Sequence, residues 1–188
     1  MRRRNCSAFY STLFIIFILS ASVWGQTKRL EAEKKYSEIT YKLTHPLHEI
    51  EAVSRDVSCW LDIDVNKRVI QKAFVQVPVS TFNSGNSNRD SHAMEVIDAI
   101  TYPDVRFTST SIAPKGDSLM ITGKLTFHGI TKMVNIAAAE NWQKNKLTIT
   151  GNFDISLTAF KIERPSLMMI PVKDDLLFSF EQVFNIQQ

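Results

Sequence analysis

Residues 119–138 read Leu-Met-Ile-Thr-Gly-Lys-Leu-Thr-Phe-His-Gly-Ile-Thr-Lys-Met-Val-Asn-Ile-Ala-Ala. Apolar side chains fall at Leu119, Ile121, Leu125 and Phe127, then at Val134, Ile136 and Ala138. Most recur at every second position, the period of a strand that shows one face to a core and the other to water. His128-Gly129-Ile130-Thr131 supplies a tight turn between the runs, and Gly123 interrupts the first where a bend or bulge fits. Strands joined by so short a turn are antiparallel neighbours. The pattern continues outward at Ile39, Tyr41 and Leu43, at Ala73, Val75, Val77 and Val79, and at Val105 and Phe107. Towards the C-terminus it resumes at Leu147, Ile149, Phe153, Ile155 and Leu157, across Gly151, and closes with Leu177, Phe178, Phe180 and Phe184. Pro114-Lys115-Gly116-Asp117 and Gln143-Lys144-Asn145 are further turns. The pattern predicts an all-β chain, with about eight strands closing into an antiparallel barrel. One short helix is expected at about residues 90–100: Asn88-Arg89-Asp90-Ser91 offers cap residues, Met94 and Ile97 share a face, and Tyr102-Pro103 ends it.

Composition places the chain among ordinary globular proteins: 188 residues, 44% hydrophobic and 22% charged, with 6 Gly and 6 Pro. The net charge of +3 comes from Arg2, Arg3 and Arg4. These precede an apolar run from Leu13 to Leu19 and a small-residue exit at Val23-Trp24-Gly25, so residues 1–25 read as a signal peptide cleaved near Gly25. The run is too short to span a bilayer. Removal of the leader leaves a chain with no net formal charge, which argues against nucleic acid as a partner. The expectation is an exported protein, periplasmic or secreted, with residues 26–35 forming a charged, frayed terminus and residues 36–188 the barrel domain. Cys59 is the only cysteine past the leader and reads as a small buried hydrophobe rather than a nucleophile.

Three blocks then carry a family resemblance: Asn88-Arg89-Asp90-Ser91-His92, Tyr102-Pro103-Asp104-Val105-Arg106-Phe107-Thr108-Ser109-Thr110-Ser111, and the run from Gly123 to Lys132. Their order and spacing resemble the YceI-like, lipocalin-like lipid-binding family, over roughly residues 36–186. The third block is similar to that family's G-x-L-T-I-x-G-V-T-K hairpin. The resemblance implies an eight-stranded barrel around an apolar cavity that holds a polyisoprenoid, an isoprenoid quinone or a fatty amide. The chain departs from the family's usual Phe-Phe-Asp at Val96-Ile97-Asp98, which predicts a differently shaped rim.

Periodicity alone does not separate a filled barrel from a hollow one. With the resemblance, Ile39, Tyr41, Val75, Val77, Val105, Phe107, Ile121, Phe127, Val134, Ile136, Phe178 and Phe180 are the expected interior ligand contacts. Arg89, Asp90, His92, Met94, Met168 and Met169 are the expected mouth and head-group contacts. Asp90 also suits a helix cap, and Leu167 to Ile170, between Pro165 and Pro171, an apolar lip. No metal or cofactor is expected. His45 and His48 have no third ligand nearby and read as a surface loop, and His128 as a solvated turn residue. Ten buried methylenes contribute about 8 kcal/mol before ordering costs, so a tail alone gives useful affinity. The reading is a non-catalytic carrier of a long-chain amphiphile, with transient membrane contact and room for a homodimer. Two alternatives stand beside it: a hydrolase or isomerase of a small lipid-like substrate using Asp90 and His92, and a solid-core barrel acting through its surface.

Overall fold

The computed structural model describes residues 27–187; the leader and its cleavage point lie outside the described residues. The strands are β1 (Thr27–Glu31), β2 (Glu38–His45), β3 (His48–Ser54), β4 (Ser58–Asp64), β5 (Val69–Pro78), β6 (Asp104–Lys115), β7 (Ser118–Phe127), β8 (Ile130–Trp142), β9 (Lys146–Ser156), β10 (Ser166–Leu167), β11 (Ile170–Pro171) and β12 (Asp175–Asn185). Among the described residues a single α-helix, α1 (Ser87–Val96), follows β5. Ten strands form one curled antiparallel sheet in the order β1-β4-β5-β6-β7-β8-β9-β12-β2-β3, and β10 with β11 makes a separate ribbon.

This corrects the expected barrel of eight strands. The added strands are those whose inward face is short. β1 comes from the charged segment expected to fray; it turns Leu30 inward and carries charge outward, with Arg29 gripping Asp62 across the pair at 2.7 and 2.9 Å. β3 buries only Ala52 and Ser54 fully and sets Glu49 and Glu51 at the surface.

The hydrogen-bonded ladder does not run around as a closed ring among the described residues, and β1 and β3 are its edges. The curl nonetheless brings the flanks together at single points. Ala32 bridges to Phe184, and Glu33 N–H donates to the Val183 carbonyl at 2.7 Å. At the other edge Val53 and Asn83 exchange backbone bonds of 3.1 and 3.0 Å, beside a Ser54–Thr81 hydroxyl contact of 2.6 Å.

The interruption at Gly123 is a register shift on the partner strand, between Ser109 and Ser111 of β6. Gly123 itself is required by space: a Cβ there would run into the Phe107 ring and lie 2.5 Å from the Thr108 carbonyl. Gly151 on β9 plays the same part, since a Cβ would lie 2.7 Å from both Phe180 Cζ and the Ala137 carbonyl. In each case the far edge of an aromatic ring reaches over a glycine.

α1 starts three residues before its expected position, because Asn86 rather than Asp90 is the cap: its side chain accepts from Arg89 N–H at 3.1 Å. It ends at Val96, two residues before the left-handed Asp98 (φ 46°). The helix covers one end of the curl together with the segment from Leu157 to Asp174. Asp174 fastens that segment, accepting from the Ser156 hydroxyl at 2.5 Å, Thr158 N–H at 2.9 Å and the Thr158 hydroxyl at 3.1 Å. These donors hold its carboxyl below the ordinary value of 3.8. With the folded value depressed, the contribution is complete above the unfolded value and is lost as the pH falls through the folded one. Asp174→Asn should therefore make the urea midpoint fall less steeply below about pH 4; an unchanged slope in that window would refute the assignment.

Candidate functional site

The inward side chains of β12 run Leu176, Phe178, Phe180, Gln182 and Phe184, spanning about 26 Å at the strand rise. They trace the axis of an interior made of two adjoining chambers of about 90 Å³ each. The outer chamber lies beneath α1, against Met94, Ile97, Leu157 and Leu176. The inner one extends along β12 to Phe184, where Ala32 bridges the seam. Phe82, Val105, Phe127 and Phe178 line both and form the partition between them.

Partial exposure of inward residues is the sign that the interior is not filled. Val75, Val105, Phe153 and Phe180 sit on the inward face yet are only half-buried, while their inward neighbours Ala73, Val77, Phe107, Ile155 and Phe178 are buried. In a solid core of native density all of them would be enclosed. The rings that lie over Gly123 and Gly151, and the Phe153–Phe178 stack with centroids 5.1 Å apart, keep bulky side chains against the wall.

The expected interior set converges here with one exception. Ile39, Val75, Val77, Phe107, Ile121, Ile136 and Phe180 line the inner chamber, Tyr41 the outer, and Val105, Phe127 and Phe178 both. Val134 lines neither; paired with Gly123, it packs at the margin of the core. Periodicity missed Phe82, which lies on the strap after β5 rather than on a strand, and Gln182, an inward position filled by a polar residue. Cys59 lines the inner chamber, and burial pushes its thiol up to about 12, so it stays a protonated, inert wall residue at neutral pH.

The mouth residues divide. Met94 lines the outer chamber. Arg89 and Asp90 are joined through Ser84: Asp90 accepts from Ser84 N–H at 3.1 Å and from its hydroxyl at 2.5 Å, and Arg89 donates to Ser84 Oγ at 2.9 Å and its carbonyl at 2.7 Å. The pair ties the polar loop to the helix, so Asp90 braces Ser84 instead of capping α1. Tyr41, among the described residues the only polar side chain of the outer wall, lies beside them; burial and the Asp90 charge raise its phenol, and Arg89 opposes the shift. His92 is exposed, 3.7 Å from Glu95. Residues two apart on a helix do not face one another, so Asp90 and His92 do not converge as an acid and base. Met168 and Met169 form the tip of the β10–β11 hairpin, 79% and 96% exposed, at the same end of the curl.

Two histidines expected in solvent are anchors. His45 is buried; its Nδ1 accepts from Leu47 N–H at 3.2 Å, so Nε2 carries the proton and donates to the Ile170 carbonyl at 3.0 Å. The His45–His48 turn is therefore a hairpin end packed on β11, not a free loop. His128 is partly buried, hydrogen-bonded to the Phe160 carbonyl at 3.0 Å and edge-on to Tyr102.

A family model described as the YceI-like domain matches residues 30–184, from β1 to the end of β12. The chain belongs to the YceI-like family. This YceI-like chain is 25% identical over 139 residues to Protein YceI of Salmonella newport (strain SL254), covering 72% of each. It superposes on Burkholderia cenocepacia BcnA with a TM-score of 0.73 at 23% identity, over 81% of this chain and 98% of that one. A polyisoprenoid binding domain from Saccharophagus degradans, implicated in plant cell wall breakdown, aligns with a TM-score of 0.64 at 9% identity, over 85% and 99% of the two chains. At such identities the structural likenesses speak for the fold alone.

Proposed function

We propose that this protein is an exported carrier that sequesters the tail of a long-chain amphiphile, an isoprenoid, isoprenoid quinone or fatty amide, in its two chambers and makes or breaks no bond. The observation that carries this is the partial exposure of the inward residues Val75, Val105, Phe153 and Phe180. Family membership and a fold shared with a polyisoprenoid binding domain support the same reading. Each methylene moved from water into such walls contributes about 0.8 kcal/mol, so hydrocarbon length sets affinity. Native mass spectrometry of protein purified without delipidation is expected to show a bound hydrocarbon-rich mass. A clean apo mass, with no uptake of added lipid, would overturn the proposal.

Delivery is proposed to run through the hairpin tip. Met168 and Met169 occupy the two-residue turn between Leu167 and Ile170 with φ of 51° and 62°. Two successive left-handed residues define the turn that Asn-Gly ordinarily fills, and for side chains such as Met the conformation costs roughly 1–2 kcal/mol per residue. Exposed Met here meets neither the turn's preference nor water's, which suits a lip that dips into lipid. The double substitution Met168→Asn with Met169→Gly should raise stability by about 1 kcal/mol or more yet weaken flotation with phosphatidylcholine vesicles several-fold. Undiminished flotation would remove the lip from the mechanism.

A further inference from the structure

The β8–β9 ladder runs only from the Ala137–Asn152 pair to the Trp142–Leu147 pair. Beyond it, residues 130–136 of β8 bond to β7 alone and residues 153–156 of β9 to β12 alone, so the wall parts between them. The segment from Leu157 to Phe160 crosses the head of this gap, from the end of β9 to the β7–β8 turn, where the Phe160 carbonyl is hydrogen-bonded to His128 at 3.0 Å. Lys132 stands in the free stretch of β8. On the same strand Thr131 and Asn135 meet the outward hydroxyls of Thr126 and Thr122 on β7, each at 2.8 Å, so the alternate residues Ile130, Lys132, Val134 and Ile136 hold the inward positions. The register agrees: Lys132 pairs with Leu125, a wall residue of the inner chamber that is 2% exposed. Ile130 and Val134 on either side pack against the core, yet Lys132 is exposed. No ion pair engages its ammonium among the described residues. A cation at an inward position stays in contact with water here because the neighbouring strand has parted.

We infer that the gap between β8 and β9 seats the head group of the ligand, that the Lys132 ammonium pairs with it, and that the protein favours long-chain amphiphiles ending in a phosphate or carboxylate. The inference rests on the carrier reading and narrows it. Leu125, Phe127 and Ile136 adjoin Lys132 in the β7–β8 register and line the inner chamber, so a tail laid along them leads inward while its charged end stays at the gap. That placement spares an ionised head the cost of entering the hydrocarbon interior. Beside an apolar wall an ammonium holds anionic oxygens more strongly than in open water, whereas a hydroxyl, quinone or amide end offers it only a neutral acceptor.

The test uses dodecyl phosphate, dodecanoate and dodecanol, matched in chain and differing in the head, each titrated against a displaceable fluorescent lipid. Wild-type protein is expected to prefer an anionic probe over the alcohol by about tenfold, roughly 1.4 kcal/mol. A preference for both anions supports the shared chemistry, and a preference for one supports the inference and names the head. In Lys132→Met the preference should fall to about one with alcohol affinity retained, and in Lys132→Arg it should persist. Lys124→Met removes the same charge from the exposed outward side of β7 and should leave the preference intact. Equal affinity of wild-type protein for all three probes overturns the inference and leaves the carrier reading standing. So does a preference that survives in Lys132→Met, or one that Lys124→Met abolishes equally. Failure of all three probes to bind overturns the carrier reading, and this inference with it. The wild-type comparison decides the matter even if a variant does not fold.

Discussion

Val105→Trp is expected to lower affinity for a long-chain amphiphile at least a hundredfold while leaving the sheet folded. Val105 belongs to the partition, lines both chambers and is half-buried because the space in front of it is open. It pairs with Val77 across β5 and β6, and aromatic residues suit such a strand position, so the indole would enter the void rather than break the ladder. Denying a tail five methylenes of burial removes about 4 kcal/mol, near a thousandfold. A hundredfold is the floor because a tail can still lodge in one chamber. Displacement titration reads the affinity, and circular dichroism and the melting temperature report on the fold. Arg106→Trp, outward on the same strand, is the matched control and should bind normally. If Val105→Trp bound as tightly as its control, the tail would not cross the partition, and the two-chamber path would be wrong.

The second large effect is on stability. Leu147→Ala should cost about 3–4 kcal/mol and lower the melting temperature by about 10 °C. Leu147 is 0% exposed and pairs with Phe184 across β12 and with Trp142 across β8. Truncation removes its transfer energy and leaves a void that a rigid ladder on both sides cannot close. Leu147 lines neither chamber, so ligand affinity should change little once the variant is folded. A urea midpoint within about 1 kcal/mol of wild type, converted by the measured slope, would show that this end of the curl is looser than its burial implies.

These contrasts mark what the sequence could and could not reveal. Strands β5 to β9 and β12 were legible because a strand with several apolar residues on one face has a single stable register. β1 was not, since Leu30 is the lone apolar inward residue of its five, and a charged segment reads the same frayed or paired. β3 hid its small inward face among histidine and glutamates for the same reason. Inward-facing identity was readable for Val75 or Phe178, yet whether the interior is open depends on where Phe107 and Phe180 lie over glycines, a tertiary fact that alternation does not encode. Gln182 defied the pattern because a polar residue at an inward position looks like an error until its amide is seen bound to Glu38 and its oxygen left over. Asp90 misled in another way: Asp suits the cap, but the polar loop offered Asn86 first.

The meeting of the sheet's two flanks sets where the wall is weakest. Every named pair of neighbouring strands in the sheet shares a run of five or more paired residues, whereas the flanks hold one another through the Ala32–Phe184 and Val53–Asn83 bridges and the Glu33–Val183 bond. Parting the flanks therefore severs fewer main-chain links than any other division of the sheet, and slow amide exchange should give out there first. A molecule built this way breathes along one fixed line, and its girth can relax without any strand leaving its partner.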